Sequence, residues 1–263
     1  MLYERILTMK RCSILLAAVW LGGGWCAAWA ETASKTELLL YLNLPSRTLM
    51  LYQGGQEVAH YEVGIGKPSD PTPTGHYQIH SVIFNPNWYN GAIVGTAQQR
   101  RTPPGPGNPM GKAKIHFSKN YYLHGTPHPW SVGQAISHGC LRLENRDVLD
   151  LARRLMADNA PVDFASVEQT LDAAPPEPRE VALNHPVAMI IDYRLLTLNP
   201  QGGTIWPDVY RRFPQPLQTV QSGLEQAAAQ QGLALQLPAG LIAELTRPVN
   251  RRIDFDLERE QPQ

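Results

Sequence analysis

The chain has few cysteines. Among its 263 residues only Cys12, Cys26 and Cys140 carry a thiol, too few for a fold stapled together by disulfides. Charge is sparse as well. Charged residues make up 17% of the chain, 23 basic against 23 acidic, and no basic run or basic–aromatic stripe occurs. That absence excludes a phosphate-tracking surface, so no nucleic acid is expected as a partner. No internal repeat is present. By contrast, 23 prolines and 21 glycines suit a loop-rich, mainly β protein better than a helical bundle.

The longest apolar run lies at the start. Lys10 and Arg11 precede an apolar stretch from Cys12 to Gly24, and Ala28-Trp29-Ala30 supplies a small-x-small pattern. The stretch is shorter than the roughly 20 residues a spanning helix needs. Residues 1–30 are therefore expected to be a signal peptide cleaved after Ala30, with export to the periplasm or cell envelope. Cleavage would remove Arg5, Lys10 and Arg11 against Glu4, leaving a net charge near −2. It would also remove Cys12 and Cys26, so Cys140 would stand alone in an oxidising compartment. A lone thiol there is either an inert buried hydrophobe or a functional group.

Strand patterns dominate the next part. Glu37–Leu44, Thr48–Tyr52 and Val58–Ile65 read as strands, with Gly54-Gly55 as a hairpin turn. Gly75–Val82 alternates, placing His76, Gln78 and His80 on a polar face. Residues 84–112 are irregular, and a connection of that length tends to wall or cover a site. Ile115–Phe117 and Tyr121–His124 are short strand candidates. Asn145 reads as an N-cap for an amphipathic helix over Arg146–Ala157, carrying Val148, Leu151, Ala152 and Leu155. Val162–Phe164 is expected to return to the sheet. Ala173–Pro178 looks like a linker. Beyond it, Pro186–Tyr193 and Thr204–Val209 are expected to pair around a turn at 199–203, followed by helices over Leu217–Gln231 and Ala239–Leu245. The expected organisation is a catalytic domain over 36–165, a linker over 166–186, and a small α/β C-terminal extension over 187–263 packed on that domain.

Chemistry concentrates around Cys140. A thiol becomes an effective nucleophile beside a base or a positive charge, and two histidines qualify, His124 and His138. His138 is only two residues away. His124, at a strand end, can approach from across the sheet. Gly139 permits a tight turn in which the amides of Gly139 and Cys140 could converge as oxyanion donors, and Arg142 could bind a substrate carboxylate. A metal site is the competing reading, from His124 with His128 and His138 with Cys140. Pro127 and Pro129 oppose a helix bearing both of the first two, and no carboxylate falls between 124 and 140.

His124-Gly125-Thr126 followed by Ser137-His138-Gly139-Cys140-Leu141-Arg142-Leu143 resembles the signature of the L,D-transpeptidase, or YkuD-domain, family. Gly66-Lys67-Pro68, Pro71–Gly75, Asn108–Gly111, Asp147 and Leu151 extend the resemblance over residues 36–165. It implies a YkuD-like β-sandwich or barrel with a short helix after the cysteine, acting on peptidoglycan stem peptides. Cys140 would attack the third stem residue and expel D-Ala. His124 would serve as base and acid, oriented by a carbonyl such as that of Gly125. His138, Gly139 and Cys140 would line the oxyanion site, supported by Ser137. An amine from a second stem would then form a 3→3 cross-link. No metal or organic cofactor is implied, and carbapenem-type inhibitors should acylate Cys140. With water as acceptor the protein would be an L,D-carboxypeptidase or other hydrolase; with a lysine it would attach a wall-anchored protein. A non-catalytic wall-binding module is the alternative of a different class.

Overall fold

Apolar residues in the first half alternate or run together, and the structure pairs those segments into one sheet. A computed structural model describes residues 37–89, 101–173, 176–199, 202–231, 235–256 and 258–259. The expected signal peptide, and part of the turn expected at 199–203, lie outside the described residues. The first part of the chain contains β1 (Leu38–Asn43), β2 (Thr48–Gln53), β3 (Gln56–Glu62), β4 (Ile65–Gly66), β5 (Gly75–Phe84), β6 (Trp88–Tyr89), β7 (Arg101–Thr102), β8 (Ala113–Ser118), β9 (Tyr121–Thr126), β10 (Ala135–Ser137), β11 (Leu141–Glu144), α1 (Asn145–Met156) and α2 (Phe164–Glu168). It is followed by β12 (Arg179–Asp192), β13 (Leu196–Leu198), β14 (Gly202–Ile205), α3 (Pro216–Gln231), β15 (Leu235–Gln236), α4 (Ala239–Leu245), β16 (Ile253–Asp256) and β17 (Glu258–Arg259).

The main sheet has eight strands in the order β11-β9-β8-β5-β12-β1-β2-β3. β1 is almost wholly buried, as a strand covered on both faces should be. At one edge, β3 carries exposed Gln56, Glu57 and Glu62, polar residues that discourage pairing with another chain. The two edges approach each other. Just past β3, Gly64 exchanges both backbone hydrogen bonds with Arg142 of β11, at 2.8 and 2.9 Å, so the sheet curls into a nearly closed barrel. A side chain at 64 would run into the Ser131 carbonyl and come within 3.3 Å of the Arg142 Cβ; only glycine allows this approach. β4 then pairs with β10, which brings the 64–72 segment alongside the loop holding Cys140.

Helix α1 lays Val148, Leu151, Ala152 and Leu155 against the barrel, all fully buried, and this apolar stripe is what holds it there. Asn145 is its first residue rather than its cap: the side-chain oxygen accepts the Lys112 N–H at 2.9 Å. Val162–Phe164 does not return to the sheet. Asp163 caps α2 instead, accepting the Ser166 N–H at 2.7 Å.

The expected boundaries at 166–186 and 187 are corrected by β12, which lies inside the main sheet, parallel to β1 and antiparallel to β5. Its register shifts between Ala182 and Val187. The shift accommodates Pro186, which has no N–H to give a regular ladder. The bulge is anchored by Asn159, whose backbone and side-chain oxygens accept the N–H groups of Asn184 and His185 at 2.8 Å each. Residues 186–192 therefore belong to the main sheet and do not pair with 204–209. β14 pairs with β13 and β16 instead. A separate core of Leu195, Leu198, Ile205, Val220, Leu224, Leu241 and Leu245 organises the extension, which begins near residue 193.

Candidate active site

Strand pairing assembles the site. Lys114 of β8, His124 of β9 and Arg142 of β11 are direct cross-strand partners, so their side chains leave the same face of the sheet. Tyr122 lies two residues before His124 and Cys140 two residues before Arg142, on that same side. Cys140 is half-buried and unpaired. Its Sγ sits 3.9 Å from the Asn120 carbonyl and receives the Tyr122 backbone N–H.

His124 is only 2% exposed. Its Nδ1 lies 2.7 Å from the Gly125 carbonyl. A carbonyl can only accept, so Nδ1 carries the proton and Nε2 keeps its lone pair. Burial pulls the His124 pKa down to about 4; the Gly125 carbonyl opposes the shift, and the charges of Arg142 and Lys114 reinforce it. Burial pushes the Cys140 thiol up, against the Tyr122 N–H, Arg142 and Lys114. Both directions favour uncharged groups, so at neutral pH the site holds a thiol and a neutral imidazole rather than an ion pair.

The turn before Cys140 is pinned at several of its polar atoms. Ser137, 2% exposed, donates its hydroxyl to the Cys140 carbonyl at 2.6 Å and accepts the Gly139 N–H at 3.1 Å. The Ser137 carbonyl accepts from Lys67 N–H at 2.9 Å. Gly139 adopts φ +101°, a region that disfavours side chains, and a Cβ there would meet the Tyr121 ring at 2.5 Å. The expected convergence of the Gly139 and Cys140 amides is corrected here: the Gly139 N–H is taken by the Ser137 hydroxyl and does not point with that of Cys140 to a shared acceptor. His138 is exposed, and its Nε2 lies 3.3 Å from Lys67 Nζ, on the surface side of the turn. His128 is exposed, with its ring beside Trp130. Among the described residues, no group of three or more His, Cys, Asp or Glu could hold a metal ion.

Three further residues belong to this neighbourhood: Thr72, within the Pro71–Gly75 stretch of the resemblance, and Lys114 and Tyr210, which no motif flagged. Lys114 is half-buried with Nζ 5.0 Å from the centre of the Tyr122 ring; burial lowers its pKa, against the pull of Cys140 and Glu180. Alternation in Ala113–Ser118 marks its face, but only the register shows that this face is the site's. Fully buried Thr72 donates to the Gly139 carbonyl at 2.9 Å. Tyr210, from the extension, contacts Thr72. Of the irregular segment 84–112 expected to wall the site, residues 90–100 lie outside the described residues; on the described part, the amide of buried Asn108 reaches the carbonyls of Pro86, Thr102 and Pro103.

Residues 38–164 match the family model described as the L,D-transpeptidase catalytic domain, YkuD. The YkuD protein of Bacillus licheniformis is 38% identical over 112 residues, 42% of this chain and 56% of that protein. The YbiS protein of Escherichia coli K12 is 25% identical over 158 residues, 57% of this chain and 51% of that protein. Both carry L,D-transpeptidase in their names, and the chain spans about half the length of each. A solved structure, the catalytic domain of the E. faecium L,D-transpeptidase, aligns at 14% identity and a TM-score of 0.37, covering 59% of this chain and 96% of that one. By this match, residues 38–164 of the chain belong to the L,D-transpeptidase (YkuD) family.

Proposed function

We propose that the protein is an exported cysteine L,D-transpeptidase acting on peptidoglycan stem tetrapeptides. The observation that carries this reading is the 2.7 Å approach of His124 Nδ1 to the Gly125 carbonyl: the carbonyl can only accept, so the proton sits on Nδ1 and Nε2 is left as the base on the face that carries Cys140. As Sγ attacks the carbonyl of the third stem residue, its proton passes to Nε2, and a tetrahedral oxyanion forms on the Cys140 N–H. The imidazolium, disfavoured in the resting site, is stabilised by that new negative charge. Collapse breaks the C–N bond to D-Ala, and Nε2–H protonates the leaving amine. A thioester remains on Cys140. An amine of a second stem then attacks it, giving up a proton to His124; the C–S bond breaks, and the proton returns to the sulfur. No cofactor enters, because the thioester conserves the energy of the cleaved amide. Arg142 and Lys114 supply fixed positive charge for a stem carboxylate.

The test is incubation with a disaccharide tetrapeptide and mass analysis of the products. Release of D-Ala together with a 3→3-linked dimer is expected, and neither should appear with Cys140→Ala. Tripeptide without dimer would replace the transpeptidase by a carboxypeptidase, and D-Ala release that survives Cys140→Ala would overturn the reading.

A further inference from the structure

Beside the catalytic pair, one contact reaches the nucleophile's turn from outside the family-matched segment. Tyr210 lies between β14 and α3, in the extension. Its hydroxyl donates to the Gly66 carbonyl at 2.9 Å and accepts the Thr72 N–H at 3.2 Å. Thr72 accepts the Gly66 N–H on its own hydroxyl at 2.9 Å and donates that hydroxyl to the Gly139 carbonyl, also at 2.9 Å. Two hydrogen-bonded steps thus connect the extension to the peptide joining Gly139 to Cys140.

The tyrosine is itself held. Its ring stacks on Tyr193 at 5.3 Å, and its N–H donates to the Tyr193 hydroxyl at 2.7 Å. Tyr193 in turn donates to Asp208 at 2.7 Å. Arg212 lies over both rings, 4.5 Å from the Tyr193 centroid and 5.4 Å from that of Tyr210. A side chain braced on three sides makes a fixed post.

What the post fixes is a peptide orientation. In a trans peptide the C=O and the following N–H point in opposite directions, so a Gly139 carbonyl held toward Thr72 turns the Cys140 N–H to the opposite side. Glycine at 139 makes rotation of that peptide easy, and the Thr72 hydroxyl opposes the rotation. We propose that Tyr210, acting through Thr72, is a positioning residue for the oxyanion site, holding the Gly139–Cys140 peptide so that the Cys140 N–H faces the oxyanion of acyl transfer. This deepens the proposed function and rests on it for its catalytic consequence.

Two reactions of Cys140 separate this role from general support. Acylation by imipenem passes through an oxyanion; alkylation by iodoacetamide does not. Tyr210→Phe and Thr72→Val should each slow acylation about tenfold or more, short of the roughly 10²–10³-fold cost of removing a whole oxyanion donor, while alkylation stays within about twofold and Thr72→Ser restores most of the loss. Equal slowing of both reactions, or no slowing of acylation, would overturn the proposal. If the wild-type protein is alkylated but never acylated, acyl transfer itself fails. The positioning claim is then read from the Cys140 amide resonance: a shifted, broadened signal in Tyr210→Phe would support it, and an unmoved one would overturn it.

Discussion

His124 suits the base role proposed for it because it is dry and because one of its nitrogens is committed. Burial keeps its ring neutral down to about pH 4, and the Gly125 carbonyl chooses which nitrogen holds the proton. Two consequences follow for pH. An unfolded chain takes up a proton on this histidine near its ordinary pKa of about 6.5, whereas the folded protein resists until about 4. The folded state binds fewer protons in that window, so stability should fall as pH drops from about 6.5 to about 4, and His124→Gln should flatten that part of the curve in thermal melts. Cys140 shifts upward through burial, so its alkylation rate should keep rising above the ordinary thiol range. A plateau already reached near pH 6 would reveal a thiolate–imidazolium pair and contradict the neutral resting site. Cys140, His124 and the Ser137–Gly139 turn were legible in the sequence, since their spacing is fixed by adjacent strands and a short loop. Lys114 was not, because its place beside His124 depends on a register that no local pattern encodes.

Among the elements, β12 decides where the catalytic unit ends. The family match stops at residue 164, yet β12 fills the sheet between β5 and β1 with fully buried Met189 and nearly buried Val187 and Ile191. Without it, β1 and β5 would expose their facing ladders and the buried sides of Leu40, Leu42 and Ile79. A chain ending at Pro178 should therefore show no cooperative thermal transition, whereas one ending at Arg194 should retain it. Cooperative melting of the shorter chain would show that the strand is dispensable. Its second half reads as a strand over Pro186–Tyr193, but its first half and its place in the main sheet are hidden in the sequence for physical reasons. Its start follows a proline-rich stretch, Pro186 breaks its alternation, and its parallel partner β1 is nearly 150 residues away, beyond the reach of any hairpin signal. β1, β2, β3 and β5 were legible because alternation and tight turns are local.

Across the whole molecule, the curled sheet explains why the site lies where it does. The Gly64–Arg142 bridge that draws the edges together stands two residues from Cys140, and the 64–72 segment beyond it carries Thr72 under the turn that precedes Cys140. The extension contributes from outside through Tyr210. Its helices were legible from sequence, but its contact with the turn was not, since a single tyrosine has no periodicity to betray it. All of these arrangements serve one claim, that Cys140 carries the acyl group. The most direct test is to quench a reaction with disaccharide tetrapeptide in acid, digest the protein and weigh the peptide containing Cys140. The expected result is a mass increase equal to the donor less D-Ala, removable by hydroxylamine and absent in His124→Ala. D-Ala release with an unmodified Cys140 peptide at every quench time, or an adduct on any other residue, would contradict it.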